Sequence, residues 1–139
     1  MTVAGLINTA GYDGTSRGLQ IAGLLNIDGL AFSGWPNPEI IGGQVALLAN
    51  GTGRLKGFQA ALLFNGSKEC TGLQIALFNG TKKLRGLQIG AVNYAEETSG
   101  LQVGVLNFAN KGSGLQIGLL NSFGDGENFR ILPIINGRF

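Results

Sequence analysis

The sequence predicts an all-β domain built from a short repeat, and three observations predict it. The triplet Gly-Leu-Gln recurs at every fourteenth position, opening at Gly72, Gly86, Gly100 and Gly114. Within each unit the residues alternate with period 2, the signature of a strand. Between units lie clusters of Gly, Ser, Thr, Asn, Lys and Glu, the residue types that punctuate strands.

The units follow in order along the chain. Residues 2–8, Thr-Val-Ala-Gly-Leu-Ile-Asn, form a first unit with Thr in place of Gln. Residues 18–26, 42–50 and 57–65 each carry one residue more than the later units, which reads as a β-bulge. Residues 72–79, 86–93, 100–107 and 114–121 are regular. In the unit at 100, Leu101, Val103 and Val105 lie on one face, and Gly100, Gln102 and Gly104 on the other. The apolar face is either packed core or lipid-facing.

Two segments break the period. Residues 27–40 hold Trp35 between Gly34 and Pro36. Proline cannot donate to a central ladder, so this stretch is a loop or edge, with a tenth strand at 30–33. Trp35 either covers an end of the domain or anchors it at a membrane interface. Residues 129–139 leave the repeat and read as a closing or capping strand, with Pro133 at an edge or bulge.

Two architectures fit a 14-residue unit. In an antiparallel meander each unit is one strand and one turn, closing into a shallow barrel of about 9–10 strands. In a β-solenoid each unit is a coil, and Gln and Asn stack in ladders. Charge favours the barrel. Taking 51–56, 66–71, 80–85, 95–99 and 109–113 as turns, alternate turns collect opposite signs. One set holds Arg54, Lys56, Lys82, Lys83, Arg85 and Lys111; the other holds Glu69, Glu96 and Glu97 against Lys68. A meander places these sets on two rims, one basic and one acidic.

Composition narrows function. The 139 residues form one domain. Charged residues make up only 13%, and the net charge of +2 does not point to nucleic acid. The absence of histidine removes the commonest metal ligand and general base. No nucleophile–base pair is visible, and no catalytic residue, metal or cofactor is expected. The lone Cys70 forms no intrachain disulfide. Glu96-Glu97 and Asp125-Gly126-Glu127 read as solvated rim rather than a Ca²⁺ site, and the sequons at Asn50, Asn65 and Asn79 as turns. No run reaches the roughly 20 apolar residues of a membrane helix, and no basic leader opens the chain.

Gln20, Gln44, Gln59, Gln74, Gln88, Gln102 and Gln116 share one strand face. They either hydrogen-bond one another in a ring or ladder, or line a lumen or ligand site. The units from Gly86 to Asn93, with the ending Leu132-Pro133-Ile134-Ile135-Asn136 and Phe139, resemble bacterial surface-repeat proteins of the Gly-Leu-Gln-Ile-Gly-Leu-Val-Asn type. The resemblance implies the β-flower architecture, a shallow barrel of radiating hairpins, and a cell-envelope location; it implies no activity. The expected protein is a non-enzymatic, membrane-associated barrel. Its basic rim, Arg54, Lys56, Lys82, Lys83, Arg85 and Lys111, would meet anionic lipid. The alternatives are a soluble surface β-solenoid acting as a binding or adhesive module, and a carrier of an apolar ligand.

Overall fold

A computed structural model describes residues 1–9, 14–28, 38–124 and 129–139. Trp35 and the tenth strand expected at 30–33 lie outside the described residues, as do Asp125 to Glu127.

The described chain winds as a β-solenoid. Its strands are β1 (Thr2–Ala4), β2 (Ile7–Asn8), β3 (Thr15–Ala22), β4 (Leu25–Ile27), β5 (Glu39–Ala46), β6 (Ala49–Ala61), β7 (Phe64–Ile75), β8 (Phe78–Gly124) and β9 (Phe129–Arg138). From β1 to β8 the strands pair in parallel and join equivalent positions of successive units. Gln20 pairs with Gln44, Gln44 with Gln59, Gln59 with Gln74 and Gln74 with Gln88. Strand β8 continues the winding, since Gln102 bonds Gln88 and Gln116 bonds Gln102, each 14 residues on. Seven glutamine rungs at a strand spacing of about 4.8 Å make a stack about 29 Å high.

The antiparallel barrel is therefore corrected to a parallel solenoid. Residues 51–56, 66–71, 80–85, 95–99 and 109–113 are extended strand within the coils, not hairpin turns. The alternation of charge has a different cause from the one expected. Glu39 pairs with Arg54, Arg54 with Glu69, and Glu69 with Lys83. In the next two coils Glu97 and Lys111 follow. Alternation between successive units is thus complementarity along one column, because each charge sits about 4.8 Å from those of its neighbouring coils. Among the described residues there is no separate basic rim.

The faces are also reversed relative to a packed apolar core. Inward positions in one coil are Gln74, Ala76, Asn79, Thr81 and Leu84, while Ile75, Leu77, Phe78, Lys82, Lys83 and Arg85 are exposed. The chain bends where consecutive residues face out, at Leu47–Leu48, Leu62–Leu63 and beside Leu77. The extra residue of the early units is absorbed at these bends rather than in a mid-strand bulge. Gln59 and Gln74 are 15 residues apart, yet Asn65 and Asn79 are 14 residues apart.

The narrow interior is filled by columns of matched side chains. Each glutamine amide donates to the preceding one at 2.7–2.9 Å, from Gln116 down to Gln20. Asn26, Asn50, Asn65, Asn79, Asn93, Asn107 and Asn121 form a second ladder at 2.8–3.2 Å, each donating to the next. The second asparagine N–H donates to a carbonyl of the following coil, as from Asn79 to Ile89 at 2.8 Å, which fixes the amide's orientation. A small apolar column of Ile40, Leu55, Cys70 and Leu84 completes the core. Burial pushes the Cys70 thiol up to about 12.

From Gly42 onward, the glycine that opens each unit is required by contact. Gly72 has φ +140°, and a Cβ there would lie 1.9 Å from the Gly57 carbonyl oxygen. The C-terminal end is closed by β9, which runs antiparallel to the last coil from Gly114↔Arg138 to Gly124↔Phe129. The pairing slips between Gly118 and Asn121, opposite Pro133, and Ile134 beside it has φ 69°. Proline thus stands at a bulge, where no ladder donor is needed.

Candidate functional site

The coil places its chemistry on the outside. Three outward columns are apolar throughout the regular units: Ile75, Ile89, Val103 and Ile117; Leu77, Ala91, Val105 and Leu119; Phe78, Val92, Leu106 and Leu120. None of the units from 18–26 to 114–121 contains a charged residue. The result is an uncharged flank running the height of the stack, with a ridge where the chain bends. Leu47 is 56% exposed, Leu77 46% and Leu119 68%. Counting each half-exposed large side chain as roughly 80–100 Å², the flank presents on the order of 1,000 Å² of apolar surface. The largest patch of an ordinary monomer is about 300–600 Å².

The charged side chains occupy the other edge. Arg54, Lys83 and Lys111 alternate with Glu39, Glu69 and Glu97 in one column; Lys82 shares a second with Lys68 and Glu96; Lys56 and Arg85 stand either side of Thr71 in a third. Lys56 reaches Glu39 at 2.8 Å, and Lys111 lies 4.0 Å from Glu97. The Lys56 ammonium, helped by Arg54 and the Thr15 hydroxyl, holds the Glu39 carboxyl below its usual range.

The seven glutamines occupy the interior as a ladder. Gln20 is 5% exposed and the other six are fully enclosed. Those six line no lumen, because each amide fills the space between its neighbours, while Gln20 borders a hollow of about 240 Å³ at the N-terminal end. What the sequence did not single out is a gap in the exterior. One outward column reads Ile27, Gly51, Gly66, Gly80, Tyr94 and Phe108. Three successive glycines leave a slot of about 530 Å³ between Ile27 and Tyr94. Phe64 and Ala49 stand on one side, Lys68 and Lys82 on the other, and Glu96 lies near the Tyr94 end. The signal was present as Asn-Gly in three successive units, but only a parallel register stacks those glycines.

No known protein family, curated protein or solved structure matches the chain.

Proposed function

We propose that this chain is a non-enzymatic β-solenoid binding module of the cell envelope that lays its uncharged flank on a lipid surface. The observation that supports the reading is the inversion of the fold. Amide ladders fill most of the interior, while most leucine, isoleucine, valine and phenylalanine side chains are outside. A surface this apolar gains roughly 25 cal/mol per Å² when covered. The bends make it a ridge, which a deformable lipid layer covers more completely than a flat protein face does. The flank also offers few hydrogen-bonding groups, whereas a typical protein interface uses about ten to fix its register. With the charges on the opposite edge, the arrangement parallels that of interfacial amphipathic elements.

Vesicle flotation tests the proposal. The protein should float with zwitterionic vesicles and remain bound at high salt, because apolar contact rather than charge carries the attachment. Leu47→Glu, Leu77→Glu and Leu119→Glu combined should release it, while reversing Lys82, Lys83 and Arg85 to Glu should not. A monodisperse monomer that ignores vesicles would overturn the reading. A dimer in which the same three substitutions yield monomers would replace lipid with a second copy.

A further inference from the structure

We propose that the slot above Gly51, Gly66 and Gly80 is a binding site for a single-chain anionic amphiphile of the fatty-acid class. The slot exists because three coils lack a side chain that their neighbours carry. Ile27 fills the same column below, and Tyr94 and Phe108 fill it above. Ile27 and Tyr94 close the two ends of the slot, and the three glycine coils between them leave a trough about 14 Å long for an alkyl chain. The floor is glycine backbone. The Phe64 ring leans over it, close enough that a Cβ at Gly66 would meet the ring at 2.8 Å. The ring thus covers the floor at Gly66, and Ile27 and Ala49 extend the apolar lining.

The opposite wall supplies charge. Lys68 and Lys82 border the slot and also border an adjoining hollow of about 180 Å³ shared with Arg54, Glu69 and Lys83. Two lysine side chains thus stand side by side on this wall, with Glu96 one coil beyond Lys82. An apolar trough beside a cationic ledge matches a molecule with an alkyl tail and an anionic head. Glu96 at the Tyr94 end repels the head from that end and leaves it at the lysines. The volume lies within the range of small-molecule sites, about 300–1,000 Å³.

The fold allows the slot to be closed without disturbing the core. A Cβ at Gly51 meets nothing within 4 Å, and one at Gly80 meets only the Phe64 ring at 3.8 Å. Neither glycine has the positive φ of Gly72. Gly80→Tyr repeats what the next coil already has at Tyr94.

The test is titration of the full chain with cis-parinaric acid, a fluorescent fatty acid, in detergent-free buffer below its self-association limit. Saturable binding at one site per chain is expected. Gly51→Phe and Gly80→Tyr should each weaken it at least tenfold, with unchanged circular dichroism. If Gly80→Tyr does not fold, Gly51→Phe carries the test alone. Lys68→Gln with Lys82→Gln should weaken binding about tenfold and remove the preference for the acid over its methyl ester. The site does not depend on lipid docking by the flank. The Leu47, Leu77 and Leu119 glutamate variant should bind the fatty acid as the parent does, and the slot-filling variants should still float with vesicles. Binding unchanged by the slot-filling residues would overturn the proposal. So would equal affinity for the ester, or many probe molecules per chain.

Discussion

Replacing Gln88 with leucine should destabilise the solenoid more than replacing its neighbour Ile89 with threonine, the reverse of what an ordinary β-domain would do. Gln88 is fully enclosed. Its Nε2 donates to Gln74 Oε1 at 2.9 Å and to the Tyr94 carbonyl at 3.3 Å, and its Oε1 accepts from Gln102 Nε2 at 2.8 Å. Leucine of similar size makes none of these bonds. It strands the Gln74 oxygen and a Gln102 N–H, each at a cost of about 1–3 kcal/mol. Burying leucine returns about 1.5–3 kcal/mol, so the central net loss is about 2 kcal/mol. Ile89 is 37% exposed and faces out. Threonine there keeps the β-branch, leaves no cavity, and costs about 1 kcal/mol or less. Urea unfolding followed by far-ultraviolet circular dichroism measures both. If Ile89→Thr costs more than Gln88→Leu, the apolar face is the core and the solenoid winding is wrong.

Three further outcomes follow from the columns. Gly72→Ala should cost more than about 3 kcal/mol, since its methyl would meet the Gly57 oxygen at 1.9 Å and the residue holds φ +140°, whereas Gly51→Ala should change the urea midpoint little. Glu69→Lys puts like charges against Arg54 and Lys83 and should cost about 0.5–1 kcal/mol at low salt, a loss that high salt removes; a salt-independent cost would disprove the charge column. Cys70 should resist thiol reagents until the chain unfolds. Its raised pKa means that the unfolded chain releases the proton first, so stability falls as pH rises from about 9 towards 12. The fall is about 1.4 kcal/mol by pH 10, and Cys70→Ala should abolish it.

The repeat and its strand character were legible in the sequence, because period-2 alternation survives whichever way strands run. Alternation alone does not say which face is inside. Leu101, Val103 and Val105 looked like core because apolar residues usually are, but the inward positions of their coil are held by Gln102, Asn107 and Ala109. Gln and Asn fit that space because each amide can donate to and accept from its own copy one coil away, and only parallel stacking supplies the copy. The charge pattern misled for a related reason. Glu39, Arg54, Glu69, Lys83, Glu97 and Lys111 alternate in sequence whether they stand on two rims or in one column. Proximity distinguishes the two, and it came only with the register. The glycines of the slot show the same limit, since Gly51, Gly66 and Gly80 each read as an unremarkable turn residue.

The interior repeats while the exterior varies, and this division says where function resides within one chain. Glutamine stands at all seven rungs, and asparagine at seven more. The column outside them runs from Ile27 through three glycines to Tyr94 and Phe108. The ladders explain why such variation is tolerated. Glutamine amides donate towards the N-terminus and asparagine amides towards the C-terminus, so the two rows of dipoles oppose one another. Each row's dipole is thereby offset by the other's, and not by the surface. Each rung contributes about 1 kcal/mol net and depends on the rungs beside it rather than on any outward side chain. A coil can then exchange Gly80 for a tyrosine, or Val105 for a leucine, with its core bonds intact. Stability set by the amides leaves the apolar flank and the glycine slot to be shaped by what they contact.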